Sequence, residues 1–96
     1  MFVHAVLFEI KPKELLRYRK DCRLWASYAK RASGFVRYMT IQRDGHKNQF
    51  VSAYEWKAKQ GHDRFMRKFH DILVAKSKAK VKVLGYYNLK VIDEIA

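Results

Sequence analysis

The chain has one cysteine, one proline and four glycines among 96 residues. A lone thiol, Cys22, cannot close an internal disulfide, so packing must hold the fold, and this usage fits a reducing, cytoplasmic setting. No apolar run approaches the roughly 20 residues a membrane helix needs, and no membrane partner is expected. The N-terminal run from Met1 to Ile10 contains His4 and Glu9 and has neither a basic start nor a small-residue cleavage site. It reads as a strand, not a signal peptide. There is no Gly-rich phosphate loop, no zinc-ligand spacing among the four histidines and Cys22, and no useful pairing of carboxylates. Acidic residues are scarce: nine Asp and Glu stand against 21 Lys and Arg, a net charge of +12. Such a surface attracts anions, whether nucleic acid, acidic lipid headgroups or a negatively charged substrate.

What is present is apolar. Hydrophobic residues make up 49% and aromatics 15%, enough for a core in a single domain over residues 1–96 and too much for a disordered chain. The pattern is organised around the stretch from Gly34 to His70. Phe35 to Arg43 is rich in aromatic and β-branched residues and reads as a strand. Asp44-Gly45 is a turn signal, because glycine takes a positive φ without steric cost. Phe50, Ser52, Tyr54 and Trp56 alternate with Val51, Ala53 and Glu55, which predicts the return strand of a hairpin.

Phe2 to Ile10 is almost continuously apolar, with His4, Val6, Phe8 and Ile10 on one face and Val3, Ala5, Leu7 and Glu9 on the other. Both faces should therefore be covered. The chain's own helices can cover one of them, and a second copy of the same sheet is the obvious cover for the other, which predicts a homodimer through sheet-to-sheet packing. Pro12 suits a helix start, and Leu15, Tyr18, Cys22, Trp25, Ala29 and Ala32 form one stripe of a helix from Glu14 to Ala32. Gly34 suits a left-handed cap. A second helix is expected from Gln60 to about Lys76, with Phe65, Phe69 and Ile72 in one row, Met66 and Leu73 beside it, and Gly61 locally unfavourable. The alternating Lys76, Lys78, Lys80 and Lys82 read as a solvated linker or a short charged edge. Gly85 to Ile92 predicts the last strand. The order is β-α-β-β-α-β with an antiparallel sheet, an α+β, ferredoxin-like fold.

Several short stretches resemble the antibiotic-biosynthesis-monooxygenase-like family of dimeric α+β barrels. Ile10-Lys11-Pro12 is similar to that family's Val-Lys-Pro at the end of the first strand. Gly34-Phe35 is similar to its Gly-Phe or Gly-Cys opening of the second, and Tyr54-Glu55-Trp56-Lys57 to its Tyr-Glu-Glu-Trp. His70 falls where many members carry a His. The resemblance implies two ferredoxin-like protomers packed sheet to sheet, each with a pocket between its sheet and its helices. It implies a ligand pocket built from His4, Val6, Phe8, Ser52, Tyr54, Trp56, His62, Phe65 and Phe69, with Met66 and His70 helping to close it. His4, Trp56 and His70 are the catalytic candidates.

The implied activity is that of a cofactor-independent oxygenase or a binder of a planar aromatic, quinol-type or anionic small molecule, with no cofactor and no metal expected. Haem-degrading members use a first-strand Asn and a His late in the second helix, where this chain has Val6 and about Ala75. Aromatic-oxidising members place an Asn where Ser52 stands, and the Ser that usually opens the second helix is Ala58.

Each candidate also has a plainer reading. Trp56 and His4 can be core, and His62 and His70, eight apart, do not share a helix face cleanly enough for a metal pair. An alternative of another class is an RNA-recognition module, which has the same element order. There Phe50 and Phe2 would stack bases and the lysines would hold phosphates. A further alternative is a non-enzymatic, metabolite- or haem-binding dimer.

Overall fold

A computed structural model describes residues 1–96. The element order is β1 (Phe2–Glu9), a 3-10 turn (Pro12–Glu14), α1 (Leu15–Ala29), β2 (Phe35–Gln42), β3 (Gln49–Trp56), α2 (Lys59–Lys76) and β4 (Lys82–Lys90). The strands form one sheet in the order β2-β3-β1-β4, with every neighbouring pair antiparallel. β3 lies between β1 and β2, which makes the split βαβ unit the element order predicts. Both turn glycines adopt the left-handed conformation expected of them, Gly34 at φ +86° after α1 and Gly45 at φ +78° in the hairpin.

Period-two alternation divides the sheet into two unlike faces. The inner face packs against the helices in two clusters at opposite ends of β1. One contains Phe2, Trp56, Phe65, Leu73 and Ala29; the other contains Ile10, Tyr18, Cys22 and Phe50. Gly61 explains itself here: a Cβ at that position would lie 3.0 Å from the Ser33 carbonyl oxygen and 3.2 Å from the Trp56 ring. Close approach of α2 to the indole outweighs the roughly 1 kcal/mol that glycine costs a helix.

On the outer face the register sets Met39, Ala53, Ala5 and Tyr87 in one row and Ile41, Val51 and Leu7 in the next. The Arg37–Glu55 ion pair, at 2.9 Å, and Glu9 with Gln49 at the far end border this apolar surface.

Three expectations are corrected. α1 ends at Ala29, so Ala32 lies in the turn that leads to Gly34. The buried stripe of α2 runs through His62, Phe65 and Leu73, leaving Ile72 47% exposed. Four residues after Phe69, the helix returns to the core at position 73, not 72, as a 3.6-residue period requires. β4 begins at Lys82, three residues before Gly85, and a register shift opposite Leu7 and Phe8 accommodates the extra residue.

The base-stacking roles weighed for Phe2 and Phe50 also fail. Both are buried against the helices, 7% and 9% exposed. A base would have to displace α1 or α2 to reach them, whereas an RNA-recognition sheet keeps such aromatics on its open face. No helix is long and apolar enough to cross a membrane.

Candidate functional site

Between the two core clusters the helices stand away from the sheet and leave a cavity of about 410 Å³. Small-molecule sites span about 300–1,000 Å³, so this space suits a compact ligand of a few fused rings. His4, Val6 and Phe8 of β1 and Ser52, Tyr54 and Trp56 of β3 form the floor, with Val83 and Tyr86 of β4 at one side. Tyr18, Cys22 and Trp25 of α1 and His62, Phe65, Met66 and His70 of α2 form the roof. Phe69, expected here, lies outside: it is turned toward α1, its ring 5.3 Å from that of Tyr28.

The three catalytic candidates have different surroundings. His4 is half-buried, and its Nδ1 lies 2.8 Å from the Asn88 side-chain oxygen. That oxygen can only accept, so Nδ1 carries a proton, and in the neutral ring the lone pair is on Nε2. The ring of His62 lies 4.5 Å from that of His4. Burial, with His4 as the nearest like charge, lowers the His62 pKa from 6.5 to about 4. At neutral pH the His62 imidazole is therefore uncharged.

Trp56 is fully buried. Phe35 and Phe65 pack on it at 5.3 and 5.4 Å, and its Nε1 has no partner. It is a wall of the cavity and does not offer an open stacking face. His70 stands at the mouth, edge-on to Trp25 at 6.1 Å, with Nδ1 3.1 Å from Asp71.

The shifted His62 makes an acid-sensitivity prediction. Between about pH 6.5 and 4 the unfolded chain binds a proton at His62 that the folded protein does not. Stability therefore falls as pH drops through that window, by up to about 2 kcal/mol once access of water through the cavity is allowed for. Urea unfolding of the protein and its His62→Gln variant from pH 7 to 4 checks this: the midpoint of the variant should fall less steeply. Parallel curves would contradict it.

Several residues of the site were not legible as such. Trp25 and Tyr18 read as ordinary members of a core stripe. Ser77, Ala79 and Val81 line the rim, although the segment reads as linker. Asp21 of α1 and Glu14 at the end of the preceding 3-10 turn hold it in place. Asp21 accepts the Lys78 and Ala79 N–H groups at 3.0 and 2.8 Å, and Glu14 accepts that of Lys80 at 2.9 Å. Trp25 Nε1 adds a bond to Ser77 Oγ at 2.9 Å. The backbone donors of a segment with no strand partner are thus satisfied by side chains. The Lys80 amide foremost, with Arg17 assisting and burial opposing, holds the Glu14 carboxyl below its usual range.

No group of three His, Cys, Asp or Glu side chains is placed to hold a metal ion. The positions that the family resemblance assigns to haem chemistry do not fit it. Val6 in the floor has no hydrogen-bonding atom, and Ala75 is exposed on α2, outside the lining, with no ligating atom. α2 is capped by Ala58 without a side-chain hydrogen bond.

No family model matches the chain, and no curated protein matches it in sequence. Solved structures match its fold. A variant of SnoaB, a cofactor-independent oxygenase from Streptomyces nogalater, superposes with TM-score 0.76 at 13% identity, over 98% of this chain and 95% of that one. A variant of MhuD with two manganese protoporphyrin IX molecules bound per active site gives 0.75 at 12% identity, over 100% and 99%. A protein from Nitrosomonas europaea provisionally classed as an antibiotic biosynthesis monooxygenase gives 0.71 at 15% identity, over 97% and 100%. The chain has the fold of the antibiotic-biosynthesis-monooxygenase-like proteins.

Proposed function

We propose that the cavity binds a planar aromatic or quinol-type small molecule, and that the protein acts on it as a cofactor-independent oxygenase. The observation that carries this reading is the cavity itself: an open-mouthed cleft of about 410 Å³ walled by Phe8, Tyr54, Trp25 and Phe65, with the His4–His62 imidazole pair set into it. An apolar slot with few convergent polar groups selects flat ligands and orients them by those groups. His4 Nε2 accepts the proton of a ligand hydroxyl, while Asn88 fixes the ring and its tautomer. The resulting anion is the electron-rich form, and dioxygen is the oxidant that takes its electrons. The net positive charge favours ligands that carry an acidic substituent. SnoaB, which shares the fold, is a cofactor-independent oxygenase.

The outer face belongs to the same proposal. Its rows of Met39, Ala53, Ala5 and Tyr87 and of Ile41, Val51 and Leu7 form an apolar surface on which Ile41 and Tyr87 are 44% and 47% exposed. A second copy packed sheet to sheet covers it and completes a dimeric α+β barrel. Cys22, buried and unpaired, suits a reducing compartment such as the cytoplasm.

The test is dioxygen uptake with naphthohydroquinone-, anthrone- and anthrahydroquinone-type compounds, corrected for autoxidation. Uptake should depend on protein, and His4→Ala should slow it by about 10²-fold or more, the usual contribution of a positioned base. Absence of protein-dependent uptake across the panel, or an unimpaired His4→Ala variant, would defeat the oxygenase reading.

A further inference from the structure

From the edge of the sheet to the cavity runs a chain of hydroxyl groups that the base at His4 does not use. Thr40 Oγ1 lies 2.6 Å from Tyr38 Oη, Tyr38 Oη donates to Ser52 Oγ at 3.1 Å, and Ser52 Oγ lies 2.5 Å from Tyr18 Oη. The register builds it: Thr40 faces Ser52 across β2 and β3, Tyr38 precedes Thr40 by two on the same face, and α1 lowers Tyr18 onto Ser52. One end is in water and the other is in the cavity. Thr40 is exposed, Tyr38 half-buried and Ser52 4% exposed, and Tyr18, 3% exposed, is in the cavity lining with Ser52.

The donor directions agree along the chain. Because the Tyr38 proton is committed to Ser52, Thr40 must be the donor to Tyr38. Ser52 then gives its own proton to Tyr18, a better acceptor at 2.5 Å than the Cys22 sulfur at 3.6 Å. That leaves the Tyr18 proton to the Cys22 sulfur, a weak acceptor, or to an oxygen in the cavity.

We propose that Thr40, Tyr38 and Ser52 form a proton relay that connects solvent to Tyr18, and that Tyr18 donates a proton to an oxygen of the bound ligand. In one passage, Tyr18 O–H gives its proton to a ligand oxygen that has gained negative charge. Tyr18 takes the Ser52 proton, Ser52 that of Tyr38 and Tyr38 that of Thr40, and Thr40 is replenished by water. One proton moves inward, each hydroxyl is regenerated, and nothing is oxidised or reduced. Burial raises the pKa of both Tyr18 and Tyr38, so both stay protonated and act by handing protons on, not by ionising. Every step lies within hydrogen-bond reach, as proton transfer requires.

The role toward a ligand rests on the reading of the cavity as a ligand site. The relay itself does not, and it can be tested with the ligand-free protein. Exchange of the Tyr18 hydroxyl proton with solvent can be followed in carbon-13-labelled tyrosine protein in mixed light and heavy water, where slow exchange splits the ring-carbon signal. The relay predicts that Tyr38→Phe, which removes only the hydroxyl, slows Tyr18 exchange by about tenfold, and that Thr40→Val slows it in the same direction. A merely structural role has the opposite sign, since loosening the packing speeds exchange by local opening. Unchanged or faster exchange in Tyr38→Phe would overturn the relay, because protons would then be reaching Tyr18 through the cavity. If Tyr38→Phe does not fold, the exposed Thr40→Val decides by the same criterion.

Discussion

Replacing Trp56 with alanine is expected to cost about 3–5 kcal/mol, a large part of the stability of so small a domain. The indole is fully buried. It is packed edge-on by Phe35, is 5.4 Å from Phe65 and 6.1 Å from His62, and Gly61 exists to let α2 approach it. These neighbours come from β2 and α2, two elements with no other means of closing the hole. Trp56→Phe should cost much less. Its ring fills most of the hole that alanine would leave, and in both variants the loss is offset in part by removal of the buried Nε1–H, which has no partner in the native protein and whose burial costs about 1–3 kcal/mol. Urea denaturation of the two variants measures the difference. Equal losses would mean that a retained ring recovers none of the lost packing, and near-wild-type stability of Trp56→Ala would mean that the tryptophan is not the keystone of its cluster.

The second large effect concerns the uncovered face of the sheet. Leu89→Lys combined with Ile41→Lys is expected to convert a dimer into a monomer. Both side chains are almost half exposed, 49% and 44%, and stand on the outer face, away from the helices. The substitutions therefore remove little from the protomer's own core. In a sheet-to-sheet dimer, each lysine would have to lose its hydration against an apolar partner surface with no carboxylate opposite, since Glu55 is already held by Arg37. A loss of about 3 kcal/mol would weaken association by more than 10²-fold. Light scattering after size exclusion in high salt reads the outcome, because salt leaves apolar burial intact and suppresses charge-driven aggregation. A wild-type monomer, or a variant that remains dimeric, would remove the sheet face as the interface.

The parts of this fold that follow from short-range pattern could be read from the chain. The Asp44-Gly45 turn and the alternation of Phe50, Ser52, Tyr54 and Trp56 define the hairpin without reference to any distant residue. The near-continuous apolar run from Phe2 to Ile10 marked β1 as a strand, while its place between β3 and β4 came only from the assembled sheet. What could not be read depends on contacts between distant positions. Glu14 looks like a solvated residue of a first helical turn, yet it is 4% exposed because it accepts the Lys80 amide, 66 positions away. Asp21 does the same for Lys78 and Ala79, and no local signal marks either acid. The lysine alternation hid the true start of β4 because the register shift opposite Leu7 and Phe8 breaks the simple period.

The site divides in the same way. Strand periodicity puts His4, Val6 and Phe8 on one face with Ser52 and Tyr54. Where the helices lift from the sheet to leave a cavity is a matter of long-range packing, and so is the choice of Trp25 over Phe69 for its roof. The hydroxyl line from Thr40 to Tyr18 joins β2, β3 and α1, and it emerges only when all three are assembled.

The central claim is that the cavity is a binding site for a flat aromatic molecule. Calorimetric titration under argon, with naphthohydroquinone-, anthrone- and anthrahydroquinone-type ligands, tests it without requiring turnover. The account predicts saturable binding of at least one of them at one per protomer, with a negative heat-capacity change from burial of apolar surface. It also predicts that Trp25→Ala, which opens the roof, weakens that binding by roughly tenfold. No saturable heat from any member of the panel, or equal affinity in the Trp25→Ala variant, would contradict it.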